Sequence, residues 1–493
     1  MDAYHSTHDT SSVEDLPIRG GALQGAVAID YPAGTGGHRF DKIHIVYDGI
    51  NGQLPNLDLI NTVTVIGTDY MGIGTTIQRM WNHGDSYEER LKTMLHGMLV
   101  QGLGHASGPH SSFIPYHVDA ITLQTVGDGW HDEMTLGRLV ESTFRSLNNL
   151  LEHLHQSFFF YLLMHARRFV SIGTYLPSAM LVAINFSIMS IALWVQSGRP
   201  TKAPVEADTR VAAAQESEQL KAEVEILEHR GMVTAVPKQL LATSERALLF
   251  PLAFVLLSHF IGVAPLFLLH NTTSEVSDTS IRSCIHGLTH LCQALNSAFV
   301  QIALATNILP YLTAVFLRAN ALINTQALTL IPCISLLLLG IALATLSTLN
   351  FSLGLLVGLV ASPLALIHAH LLLPEAVSTT KSKTATSLPI RAITTLLLLH
   401  LINPTSITYL ASHLLTAAPL GNVQSLLVMA GEAWLVHSTY TAVIVWLVWF
   451  PAWFVGASVV ACGLIAQVGG REKDREGGRA VEKAVKMDVV GAT

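Results

Sequence analysis

All four cysteines, Cys284, Cys292, Cys333 and Cys462, lie in the C-terminal part of the chain. A cysteine nucleophile or a thiolate-bound metal is therefore excluded from the N-terminal part, since both chemistries need the sulfur. The opening Met1-Asp2-Ala3-Tyr4-His5 lacks the charged-then-apolar pattern of a secretory leader. No Gly-x-Ser-x-Gly occurs, and Gly34-Thr35-Gly36-Gly37 is followed by neither Lys-Ser/Thr nor a helical pattern, which excludes a nucleophile elbow and a phosphate loop. Charged residues make up only 13%, with a net charge of −7, so no basic surface is available for nucleic acid. The long apolar runs carry no Asp, Glu, Lys or Arg at mid-membrane depth, and Glu432 stands near a boundary. Ion-coupled transporters need such groups, so transport is disfavoured.

What is present divides in two. Half of the 493 residues are hydrophobic and the mean hydropathy is +0.44, but residues 1–168 have ordinary globular composition and 246–467 is dominated by apolar runs. In 1–168, Ala22–Ile29, Lys42–Tyr47 and Ala120–Val126 read as strands, and Asn56–Thr68, Tyr87–Leu103 and Asp132–Leu154 as helices. This alternation predicts a parallel or mixed sheet with helices on its faces. Three strands make a thin sheet, so the expectation is the second half of a larger α/β domain.

The stretch Glu141–Trp194 joins the two parts. Leu147, Leu150, Leu151 and Leu154 recur at helical spacing, no Gly or Pro intervenes before Gly173, and the spacing predicts one nearly continuous helix, or two with a short break near Arg167–Gly173. Phe158–Tyr161 is expected as an aromatic collar at headgroup level, with Arg167 and Arg168 as phosphate-level anchors. Seven spans are predicted, at about 169–195, 246–269, 297–317, 327–349, 350–373, 392–415 and 438–467. Between the first two, 196–245 is an expected cytosolic loop whose Val211–His229 portion reads as an exposed helix.

Lys and Arg set the orientation. Seven lie in 199–246, one is Arg318, three lie in 381–391 and six in the tail, whereas the loops on the opposite side hold only Arg282. The soluble part is thus expected to be lumenal and the tail 468–493 cytosolic. Asn271-Thr272-Thr273 is then a lumenal N-glycosylation sequon in a secretory-pathway membrane. Cys284 and Cys292 share one lumenal loop and can form a disulfide in an oxidising compartment, or remain apart.

Twenty-three histidines invite a metal reading. His153-x-His155 and His368-x-His370 do not chelate one ion from a helix, because i,i+2 places the rings on different faces. Asp30 and His131 are strand-end candidates for a metal remnant, with an ordinary strand-end Asp and loop His as the alternative. Asp48-Gly49-Ile50-Asn51-Gly52 supplies turn residues where α/β domains place ligands. In the last span, Pro451 follows Val445–Phe450, and Trp446, Trp449 and Trp453 fall at three- and four-residue spacing. A proline kink beside three Trp forms either a slot for a lipid or a packing feature.

Gly49–Asn61, Gly108–Leu123, Leu147–Tyr161 and Arg168–Gly173 together resemble the GPI-anchor attachment protein family, the polytopic zinc-aminopeptidase-like subunit of the GPI transamidase complex. The resemblance implies a membrane protein with a partial zinc-aminopeptidase-like α/β lumenal domain, followed by an α-helical bundle of about seven transmembrane helices in the endoplasmic reticulum. It also implies a missing N-terminal span and half-domain, with Met1 an internal methionine of a longer reading frame. The implied role is a non-catalytic subunit that recognises GPI lipid, needs no cofactor, and works beside a caspase-like partner subunit bearing the cysteine nucleophile. Pro451 matches the family's proline linked to GPI recognition, and Trp446, Trp449 and Trp453 are expected to form a wall of that site, with the lipid head toward Glu432 and His437. The competing expectation is a membrane-anchored zinc aminopeptidase.

Overall fold

A computed structural model of the protein describes residues 2–6, 14–18, 20–32, 38–149, 160–198, 224–229, 232–237, 245–280, 286–365, 387–415 and 423–465. The N-terminal unit runs β1 (Gly25–Asp30), β2 (Phe40–Val46), α1 (Leu57–Val65), β3 (Gly74–Ile77), α2 (Tyr87–Leu103), β4 (Asp119–His131) and α3 (Glu133–Asn148). Each helix starts where a side chain takes an otherwise unpaired N–H: Asn56 accepts from Asp58, Ser86 from Glu89 and Asp132 from Thr135. The sheet order is β1-β4-β2-β3, with β1 parallel to β4, β2 parallel to β3, and β2 antiparallel to β4. The mixed sheet is as the sequence predicts. Its fourth strand was not predicted, because Gly-Thr-Thr-Ile is too short to carry a period.

The central strands bury Ile43, Ile45, Ile121 and Leu123 against Leu59, Ile60 and Val63 of α1 and Leu136 and Leu139 of α3. α2 stands apart from this core. It lies against β5 (Tyr161–His165) and the short membrane-side helix described below, and it is the link between the two units.

The continuous helix expected over Glu141–Trp194 does not form. α3 ends at Asn148, residues 150–159 lie outside the described ones together with Phe158 and Phe159, and β5 with β6 (Arg168–Ser171) makes an antiparallel hairpin. An apolar run of five residues suits a buried strand as well as a helix, and only the surface it meets decides. Tyr161 is buried, and its hydroxyl donates to the Pro55 carbonyl at 2.8 Å, so it belongs to the domain core rather than to a lipid collar. Arg168 pairs with Asp85 at 2.9 Å and Arg167 with Asp69. These arginines clamp the hairpin onto the domain instead of reaching phosphates.

The membrane unit comprises α4 (Ile172–Ser197), the hairpin β7 (Val224–His229) and β8 (Met232–Pro237), then α5 (Leu249–Ser280), α6 (His286–Ala319), α7 (Thr325–Leu349), α8 (Phe351–Ala361), α9 (Ser387–Leu401), α10 (Pro404–Leu415), α11 (Val423–His437) and α12 (Thr441–Ile465). Among the described residues five helices are long and apolar enough to cross a membrane, and α9 with α10, bent by 51°, makes up to six. The predicted span 350–373 is described only to residue 365, as a short apolar helix. The predicted helix Val211–His229 ends in strand β7, where the β-branched and apolar Val224, Ile226 and Leu227 sit; residues 211–223 lie outside the described ones. α7 and α4 pack closely because Gly340 meets Ser187 and Ala183, and the Ser190 hydroxyl donates to the Cys333 carbonyl at 2.8 Å.

Candidate functional site

The turn after β2 does more than connect strands. Asp48 and Gly49 lead into Asn51, whose φ of 58° is left-handed, a conformation Asn tolerates better than most residues. That geometry turns the Asn51 carbonyl toward the bundle, where it accepts from Asn350 Nδ2 and from the Tyr440 hydroxyl, both at 3.0 Å. Asn51 Oδ1 accepts from the Tyr440 N–H at 2.9 Å. Gly52, at φ +74°, lies so close to the Asn350 side chain that a Cβ would strike it. Two membrane helices, α8 and α12, thus begin on one turn of the N-terminal unit.

The second half of this joint is the C-terminal end of α2. A helix end leaves carbonyls without intrahelical donors. Here Asn350 Nδ2 donates to the Gln101 carbonyl at 2.9 Å and the Thr441 hydroxyl to the Leu103 carbonyl at 3.0 Å. Asn350 also caps α8, its Oδ1 accepting from Leu353 N–H at 3.0 Å.

Behind the joint lies a buried polar cluster. Asp48 Oδ2 accepts from Gln78 Nε2 at 2.6 Å, and Oδ1 faces Gln101 Nε2 at 3.5 Å. Gln101 Oε1 in turn accepts from the Ser352 hydroxyl of α8 at 3.1 Å. With no cation nearby, burial raises the Asp48 carboxyl to about 7, against the lowering effect of the Gln78 and Gln101 amides. His110 Nε2 donates to the Asp48 carbonyl at 3.0 Å, leaving Nδ1 to accept from the Thr122 hydroxyl at 2.8 Å. Burial lowers the His110 imidazole to about 4, so it is neutral at physiological pH. The cluster is an internal support, with every donor turned inward.

The strand-end candidates do not converge. Asp30 accepts at 2.9 Å from Nε2 of Gln124, its register partner on β4. His131 stands seven residues further along β4, next to the Phe40 ring, on the order of 20 Å away. Among the described residues no group of three or more His, Cys, Asp or Glu could hold a metal ion. Cys284 and Cys292 lie outside the described residues. Asn271 sits on α5, just past its apolar segment Leu249–Leu268, and not in a loop.

Around Pro451 the helix widens rather than kinks. Val445–Trp449 form a π turn, in which the Phe450 N–H reaches the Val445 carbonyl. In that register the next donor would serve the Trp446 carbonyl, and Pro451 has none. The Trp446 oxygen instead abuts Gly262 of α5, so closely that no Cβ fits there.

The three Trp are brought onto this helix as predicted, but they do not line an open slot. Trp446, Trp449 and Trp453 are all buried in the bundle core with Phe450 and Phe454. Trp453 Nε1 donates to the Leu399 carbonyl at 2.6 Å, serving α9 where Asn403-Pro404 breaks the helix. The partly exposed Leu447 and Val448, with the buried Ala452, line a cavity of about 180 Å³ together with His259, Ser335 and Ala342. No sequence signal pointed to Gly262, His259 or Asn350, because each matters through a partner far away in the chain.

Comparison with known proteins agrees with the residues quoted above. The family model described as Gaa1-like, GPI transamidase component, matches residues 1–457. The GPI transamidase component gaa1 of Schizosaccharomyces pombe is 39% identical over 189 residues, 37% of this chain and 32% of that protein. GPI transamidase component GAA1 of Saccharomyces cerevisiae is 37% identical over 202 residues, 40% of this chain and 31% of that protein. The chain spans about a third of the length of the curated relatives it matches. Matched by the family model over nearly its whole length, this chain belongs to the Gaa1-like family of GPI transamidase components.

Proposed function

We propose that this chain acts as a non-catalytic, GPI-recognising subunit of a GPI transamidase in the endoplasmic reticulum membrane, working beside a caspase-like catalytic subunit. The family match over residues 1–457 carries the reading; the separation of Asp30 from His131 speaks against the zinc aminopeptidase alternative. In this reading the soluble unit is part of an aminopeptidase-like domain without its chemistry, and the bundle makes seven crossings, with α9 and α10 as one broken span.

The lipid site lies on α12 at the widened turn, on the Leu447–Val448–Ala452 face, with Pro451 and the buried Trp446, Trp449 and Trp453 holding that face in register. A π turn inserts one extra residue, so removing it rotates the two halves of the helix relative to each other by about 100°. Pro451→Leu restores an N–H and with it the α register; Gly262→Val forces a side chain against the Trp446 carbonyl. Each is expected to cost about 1–3 kcal/mol of packing and to lower GPI co-purified with the full-length subunit about tenfold, while subunit assembly persists. Undiminished GPI in both variants would leave the turn a packing feature only.

Orientation follows the basic residues. An epitope near residue 215 is expected to be digested by protease added to sealed microsomes, and Asn271→Gln to remove a glycan. Protection of the epitope would reverse the topology.

A further inference from the structure

A second cavity, of about 350 Å³, opens where the N-terminal unit meets the bundle; Asn350 and Gln101 of the joint stand on its wall, and it is separate from the cavity beside Pro451. Its floor is the first turn of α4 and the last turn of α7, at Tyr175 and Thr348, so its depth is that of lipid headgroups. Its rim is apolar and open: Leu349 is 67% and Phe160 51% exposed. Tyr175 and Phe351 stand with ring centroids 4.4 Å apart on one wall.

The charge on the lining is one-sided. Asp119, half-buried at the start of β4, accepts from the Asn56 N–H at 2.8 Å through Oδ1. Among the described residues of the lining there is no Lys or Arg, and the other ionisable side chains are His117, Tyr161 and Tyr175. A carboxylate and aromatic rings lining one cavity, without a protein cation, is the chemistry that holds an alkylammonium ion. Burial raises the Asp119 carboxyl, as expected of an acid lacking its counter-ion.

We infer that this cavity binds the ammonium-phosphate head of an ethanolamine- or choline-bearing lipid, with the ammonium between Asp119 and the Tyr175–Phe351 wall and the acyl chains leaving past Leu349 and Phe160. An anionic head without an amine finds a carboxylate there and is rejected. The inference does not depend on the Pro451 site, since the two cavities share no residue.

The test uses the purified full chain in maltoside detergent, with saturation-transfer NMR of short-chain phospholipids bearing ethanolamine, choline or glycerol heads. A soluble ethanolamine-phosphate glycan without lipid is the fourth probe. Ethanolamine and choline heads are expected to bind about tenfold more tightly than the glycerol head, and Asp119→Asn to abolish that preference. This variant keeps an oxygen for the Asn56 N–H, so its melting midpoint should stay near that of the parent chain. Tyr175→Leu, which leaves the charge in place, should weaken both amine-bearing heads. Binding of the short-chain lipids alone identifies bulk phospholipid as the source, and binding of the glycan alone identifies the glycolipid; either supports the site. Equal binding of the glycerol head, unchanged binding by Asp119→Asn, or no binding of any probe overturns it.

Discussion

Asn350→Ala is expected to lower the stability of the full chain by about 3–5 kcal/mol and to separate the melting of the N-terminal unit from that of the bundle. The side chain makes three hydrogen bonds, to the Asn51 and Gln101 carbonyls and from the Leu353 N–H. It is 3% exposed, so water does not replace the lost partners. A typical hydrogen bond contributes about 1 kcal/mol, but a buried group left unpaired costs about 1–3 kcal/mol, and the cap adds about 1 kcal/mol. The same deletion releases the start of α8 from the end of α2, leaving Tyr440 and Thr441 as the remaining hydrogen-bonded ties of the joint to α12. Differential scanning calorimetry in detergent checks it: a single transition within about 1 kcal/mol of the parent would show that Tyr440 and Thr441 hold the joint alone.

The second large effect is pH-dependent. A carboxyl ordinarily titrates near 3.8 and Asp48 titrates at about 7 in the folded chain, so folding takes up a proton between these values. Its stabilising contribution is fully present below pH about 4 and is lost as the pH rises through 7. His110 works in the opposite sense: depressed to about 4 from the ordinary 6.5, it contributes stability above about 6.5 that is lost as the pH falls through 4. His44 and His96, also lowered by burial, reinforce His110, while Asp119 sides with Asp48.

In Asp48→Asn the carboxyl contribution vanishes and the Gln78 contact keeps an acceptor. The variant should therefore gain stability relative to the parent chain as the pH rises from 4 to 7, by a total of about 4 kcal/mol. Urea unfolding of both chains across that range measures the difference, and a difference independent of pH would mean that Asp48 is not the group taking up the proton.

The parts of this protein that were legible in its sequence are those governed by local pattern. Strand and helix alternation over 22–148 announced a mixed sheet because binary patterning reports which face is buried. Charge-free apolar runs announced membrane helices because lipid tolerates few charges. The blocks around Gly49–Asn61 and Leu147–Tyr161 announced the family, and the Asp48–Gly52 turn and Pro451 were singled out as places where the backbone needs special residues.

What only the tertiary structure decided depends on partners distant in the chain. Tyr161–His165 became a strand because α2 and β6 offered a surface for one, and its apolar run alone fits either state. Trp446, Trp449 and Trp453 share a face in the sequence, but whether that face meets lipid or protein was set by α5 and α9. It met protein, and the cavity face fell to Leu447 and Val448, because the π turn before Pro451 shifts the register by one residue and Gly262 lets the Trp446 carbonyl come close. Asn350, nearly three hundred residues from Asn51, carries no signal in the sequence beyond opening an apolar run. Its role as the bolt between the two units exists only once the Asn51 turn has gone left-handed and aimed its carbonyl at the membrane.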